Sequence, residues 1–170
     1  MPKHTLSVLV ENRAGVLNRV AGLFSRRGFN IDSLAVGVTE DPEVSRITIV
    51  VNGDDYIVEQ VCKQLNKLID VIKIKKLDDH DSVSRELALI KVGANASTRS
   101  EIAQLVEIFR AKIVDVSKTT LTIEISGDNE KVSAMEDMLK QFGIKEIVRT
   151  GAIAIERGNK YIKASNNDEE

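Results

Sequence analysis

Apolar residues recur at every second position from Thr5 to Val10. Leu6, Val8 and Val10 share one face, which predicts a first strand. The period then changes to that of a helix over Val16–Arg27. Val16, Leu17, Val20, Leu23 and Phe24 form one stripe, with Asn18, Arg19, Arg26 and Arg27 mostly off it. Arg26 and Arg27 suit the negative end of the helix dipole, and Gly28 is a natural left-handed stop. Alternation returns in Asn30–Val38, through Leu34, Val36 and Val38. Past the breaker "TEDPE" it resumes in Ser45–Val51, through Ile47, Ile49 and Val51. "NGDD" turns the chain into a second helix, about Asp54–Ile69, capped by Asp54 or Asp55, with Val58, Val61, Leu65, Leu68 and Ile69 inward. A strand over Val71–Leu77 closes a β-α-β-β-α-β unit, the ferredoxin-like arrangement.

The acidic stretch "DDHDSVS", residues 78–84, reads as a linker, and the order then repeats. Glu86–Val92 predicts a strand. Ser100–Arg110 predicts a helix with Ile102, Leu105, Val106 and Phe109 inward. Ile113–Ser117 and Thr120–Ser126 predict a tight hairpin. Gly127–Phe142 predicts a helix opened by Asp128, and Lys145–Thr150 or beyond a last strand. "GDDYIVEQVCKQL" and "GDNEKVSAMEDML" share punctuation and apolar spacing, as an internal repeat would. The fold class expected is α+β, two ferredoxin-like units over residues 3–77 and 85–158, followed by a flexible tail over 159–170.

Composition narrows the function. The 170 residues carry a net charge of −2, which disfavours the clustered basic surface that phosphate contacts need. An RNA-binding fold of this topology also needs stacking aromatics on its central strands. Here those strands read "LSVLVE" and "SRITIVV", with none. The single Cys62 permits no internal disulfide, which fits a reducing cytoplasm. No apolar run approaches the ~18 residues of a membrane span, and "MPKHTLSV" lacks the apolar core of an export signal.

Catalysis needs clustered reactive groups, and none stand out. Cys62 lies mid-helix beside Val61 and Leu65, as a small core or boundary residue does. His4 and His80 fall near a terminus and in the linker, without metal-ligand spacing. Asp54, Asp55, Asp128 and Glu130 sit at helix starts, where capping and the dipole explain them. Phosphate-loop, dinucleotide and nucleophile-elbow motifs are absent. The chain is expected to catalyse nothing alone and to hold no metal or cofactor.

The loop after the first strand, "VENRAGVL", is different. Asn12 can cap the helix through its side chain. Gly15 admits two readings: a tight turn needing an unusual backbone angle, or a bare position leaving room for an anion at the helix's free N–H groups. Asn30 and Ile31 open the second strand, read as the neighbour of the first, so that both asparagines face one end of the unit. Two asparagines and an open glycine suit the amino and carboxylate groups of a small molecule.

"LSVLVENRAGVLNRVAGLFSRRGFNIDSLAVG" resembles the ACT domain, a module that senses amino acids. With "FNIDSLAVGVTEDPEVSRITI" and, in the second half, "SRELALIKVGA", "EIFRAKIVDVS" and "TLTIEISG", the chain is similar to the small regulatory subunits of acetolactate (acetohydroxyacid) synthase over roughly residues 3–158. The resemblance implies a large catalytic subunit as partner, carrying thiamine diphosphate, magnesium and FAD, which this chain activates and makes sensitive to valine. It also implies a homodimer through ACT domains, with valine bound by Asn12, Gly15, Val16 and Leu17 of one copy and Asn30 and Ile31 of the other. The matching loop of the second half, "GANASTRSEI", lacks the pattern, so one kind of effector site is expected. The alternative is a free-standing ACT sensor acting on another enzyme or regulator.

Overall fold

A computed structural model describes residues 1–165 and divides the chain into two compact units: residues 1–83 with the segment from Ile153 onward, and residues 84–152.

In the first unit, β1 (Lys3–Glu11), α1 (Val16–Arg27), β2 (Ile31–Val38), β3 (Val44–Asn52), α2 (Asp55–Asn66) and β4 (Val71–Leu77) follow the expected order. The sheet is antiparallel, ordered β2-β3-β1-β4, with Leu6 opposite Ile49 and Val8 opposite Ile47. One face meets the two helices. Leu6, Val8, Val10, Ile47, Ile49 and Val51 pack there on Val20, Leu23 and Phe24 of α1 and Val58, Val61 and Leu65 of α2. Phe24 meets Phe29 edge to face at 6.1 Å.

The second unit repeats the plan: β5 (Ser82–Gly93), α3 (Arg99–Ile108), β6 (Lys112–Val116), β7 (Thr120–Gly127), α4 (Asn129–Leu139) and β8 (Ile144–Arg149), ordered β6-β7-β5-β8. Ala88, Ile90 and Val92 of β5 pack on Ile102 and Val106 of α3 and Val132, Met135 and Leu139 of α4. Two aspartates cap helices as expected: Asp54 accepts from Ile57 N and Asp128 from Lys131 N.

Several expectations change. The second helix stops at Asn66, and Ile69, expected inward, is 93% exposed in the turn beyond. The helix expected over Gly127–Phe142 yields its last three residues to a 3₁₀ turn. The linker is structured: Asp79–Asp81 form a 3₁₀ turn, and Ser82 already begins β5. A further short strand, β9 (Ile153–Glu156), pairs with β5.

The tail expected from residue 159 is not loose over its described part. From Ile153 the chain belongs to the first unit and crosses the sheet face that the helices leave open. Glu156 pairs with Lys75 at 3.2 Å, and Arg157 N donates to Asp81 O. Lys160 reaches the Asp81 carboxylate at 2.5 Å and holds that carboxyl below its usual range. Ile162 is buried against Leu9 and Val44. Apolar burial explains the placement, since Leu9 and Val44 would otherwise face water. Residues 166–170 lie outside the described part.

Candidate effector site

The chain leaves β1 at Glu11 and enters α1 five residues on, at Val16. Gly15, directly before the helix, has φ +86°, the left-handed region that an L side chain rarely adopts. Both readings of this glycine therefore meet in one residue: the turn needs it, and it puts no side chain at the helix start. Asn12 does not cap the helix, contrary to the sequence expectation. Its Nδ2 donates to Pro42 O at 2.9 Å, its Oδ1 accepts from Ser45 Oγ at 3.1 Å, and its backbone N donates to Glu43 O at 2.8 Å. Asn12 thus ties the β1–α1 loop to the β2–β3 connection. One amide hydrogen and one oxygen lone pair remain for a ligand.

With no side-chain cap, the first turn of α1 stays open. Val16 N makes only a long 3.5 Å bond to Arg13 O, and Arg19 N already reaches Gly15 O. Leu17 N and Asn18 N have no acceptor among the described residues. Such N–H groups, with the helix dipole behind them, attract an anion. The Val16 side chain is core, so only its backbone can serve a site. Leu17 is 44% exposed and stands free at the surface.

Sequence reasoning missed Arg19. Its Nη1 lies 3.4 Å from where a Cβ on Gly15 would stand, and its Nε donates to Asp70 at 2.6 Å. Asp70 is buried and also accepts from Glu11 N through its backbone oxygen. A cation is thereby fixed beside the bare helix start. The available signal was the spacing: residue i+4 on a helix lies over residue i.

Asn30 and Ile31 are elsewhere in the unit. The first strand lies between β3 and β4, not beside β2, and Ile31 pairs with Val51, which itself pairs with His4. Asn30 is therefore level with the start of β1, and Asn12 lies past its end. Eight residues of strand separate them, on the order of 26 Å. The two asparagines occupy opposite ends of one unit, because β2 runs antiparallel to β3 and β3 to β1. β2 is also an edge strand, with Val36 and Val38 exposed.

The corresponding loop of the second unit is closed on itself. Asn95 Oδ1 accepts from Ser97 N at 2.9 Å and Thr98 N at 3.0 Å, before α3 begins. Among the described residues no group of three His, Cys, Asp or Glu side chains could hold a metal ion, and no helix is long and apolar enough to cross a membrane.

Residues 6–73 match the family described as "AHAS small subunit-like ACT domain". The first unit is an ACT domain, and the protein is of the regulatory class. Residues 85–158 match the family described as "Small subunit of acetolactate synthase". The chain is 57% identical over 164 residues to the acetolactate synthase small subunit of Mycolicibacterium smegmatis, covering 96% of each. It is 60% identical over 158 residues to the probable small subunit of Archaeoglobus fulgidus, covering 93% of this chain and 99% of that one. The crystal structure of the Thermotoga maritima small subunit superposes with a TM-score of 0.87 at 48% identity, over 94% of this chain and 100% of that one. The chain belongs to the acetolactate synthase small-subunit family. It is the regulatory rather than the catalytic subunit of an enzyme of branched-chain amino-acid biosynthesis, and it partners a large catalytic subunit.

Proposed function

We propose that the chain activates its catalytic subunit and makes it sensitive to valine, which binds where the β1–α1 loop of one copy meets the β2 start of another. The observation that carries this is the pair of unpartnered N–H groups at Leu17 and Asn18 behind a glycine held at φ +86°. They suit the carboxylate of a free amino acid. The spare Oδ1 lone pair of Asn12 suits its ammonium, and Leu17 an apolar side chain.

The register of β2 supports a site shared between copies. Antiparallel pairing of two β2 edges about their midpoint sets Val38 of one copy beside Ile31 of the other. Val38 leads into the 39–43 connection, to which Asn12 is bonded through Pro42. Asn30 and Ile31 of the second copy then approach the Gly15 loop that they cannot reach within their own chain. Valine bound across this seam favours one arrangement of the pair, and the catalytic subunit responds to that arrangement through a coupling free energy. The chemistry of thiamine diphosphate, magnesium and FAD belongs in this scheme to the catalytic subunit.

The test is to assay the chain with its catalytic subunit, with and without valine, alongside Gly15→Asp. A side chain at φ +86° costs roughly 1–2 kcal/mol, and Asp is among the residues that tolerate it best. The variant is expected to fold and activate while losing valine sensitivity, because its carboxylate occupies the anion position. A variant that stays valine-sensitive misplaces the site. Absence of activation by the native chain overturns the functional reading and returns the free-standing sensor.

A further inference from the structure

The sheet face away from the helices carries a second candidate site. Ser7 and Arg46 lie there on neighbouring strands. Ser7 is opposite Thr48 and Leu9 opposite Arg46, so Ser7 and Arg46 are diagonal neighbours, about 7–8 Å apart along the backbone and within reach of a guanidinium. Over them passes the chain from β9 to Ile162. Between sheet and crossing chain is a cavity of about 270 Å³, wholly within the first unit.

Two features of this cavity are unexplained by the fold. Ser7 is 1% exposed, and its Oγ has no hydrogen-bond partner. A buried hydroxyl left unpaired is destabilising, so natural cores avoid it unless something fills the gap. Arg46 is half-buried, and among the described residues its guanidinium has neither ion pair nor hydrogen bond. Glu40 and Asp41 border a neighbouring hollow that Arg46 also lines, but neither comes within ion-pair distance.

The remaining charges of the cavity are spoken for. Glu156 pairs with Lys75 and Lys160 with Asp81. Among the described residues the wall therefore presents one uncompensated positive charge, one unpaired hydroxyl, and an apolar surface from Leu77, Ala154 and Ile162. The volume lies below the roughly 300–1,000 Å³ of drug-sized pockets.

We propose that this cavity binds a small organic monocarboxylate with a short apolar body. Arg46 takes the carboxylate in the two-bonded geometry that a guanidinium offers, and Ser7 Oγ donates a further hydrogen bond to it. The apolar body lies on Leu77, Ala154 and Ile162. The ligand touches both the sheet and the crossing chain, so it also holds the segment around Ile162 in place. The proposal is independent of the valine site: it uses the opposite face of the sheet and none of the same residues.

The test is calorimetric titration of the full-length chain with isobutyrate, with inorganic phosphate as a bare-anion comparison. One saturable site per chain is expected for isobutyrate, with phosphate at least tenfold weaker. Arg46→Gln is expected to weaken isobutyrate by tenfold or more. Ser7→Ala is expected to weaken it several-fold while leaving the unliganded chain as stable as before or more so, because it removes the unpaired hydroxyl. Gly15→Asp is expected to bind isobutyrate like the native chain. No saturable binding, equal binding by Arg46→Gln, phosphate binding as tightly as isobutyrate, or loss of binding in Gly15→Asp each overturns the proposal.

Discussion

Gly15 and Cys62 show how differently single residues reveal their roles. Gly15 is conspicuous in the sequence because glycine is a poor helix former at a helix start, and its φ of +86° supplies the reason. Asn12 was recognisable as a polar loop residue, but its partners, Pro42 and Ser45, lie about thirty residues on. Local propensity favoured a helix cap, and the tertiary contact won. Cys62 conforms to expectation as a boundary residue, half-buried against the core of the first unit. Burial pushes its thiol above the ordinary value, the nearby Lys76 opposing this only in part. A raised thiol pKa means less thiolate at neutral pH. Its reaction with a disulfide reagent is therefore expected to be slower at pH 7 than that of a cysteine peptide, with the midpoint of the pH–rate profile displaced upward. A midpoint at or below the peptide's would show that the thiol is not shielded.

At the scale of elements, the two halves follow one plan but lock their last strands differently. In the second unit Arg149 on β8 reaches the buried Glu86 on β5, and also Glu136, Asn129 and Ser133 of α4 and its start. One guanidinium joins two strands to a helix. Arg149→Ala leaves Glu86 buried without its cation, and is expected to cost about 3 kcal/mol of unfolding free energy, at the low end for a stranded buried charge because Arg149 is partly wetted. Pairing it with Glu86→Gln should recover a large part of that cost. A denaturant melt checks both, and a loss below ~1 kcal/mol for Arg149→Ala would mean that water already serves Glu86. The sequence showed the strand carrying Arg149 and hid this role, since its partners come from two other stretches of chain, β5 and α4.

For the whole molecule, two surfaces decide behaviour. The β2 edge is open, and Val36 and Val38 are exposed on it. If copies pair there, replacing both with Asp is expected to shift the protein to a monomer in light scattering and to abolish valine response, because like charges would face each other across the seam. A dimer that survives places the contact elsewhere. The other surface is already covered by the chain itself. Ile162→Ala is expected to cost about 2 kcal/mol and to speed amide exchange over residues 159–165, since Ile162 is the buried anchor on Leu9 and Val44. Unchanged exchange would show that Lys160 and Asp81 hold the segment without it.

The sequence by itself determined the two α+β units, their element order and the faces of their main helices, because hydrophobic period is local and each period has one structural meaning. It also singled out the Gly15 loop, because a glycine stands where the helical period begins; that the helix start is uncapped was decided by the tertiary contacts of Asn12. Tertiary structure alone decided that Asn30 stands at the far end of the unit from Asn12. Strand order is a choice among pairings that period two does not distinguish. It alone decided that residues 153–162 complete the first unit: past Glu156, Ile162 is the one isoleucine in a polar stretch and has no period, and its burial depends on Leu9 and Val44, more than a hundred residues earlier.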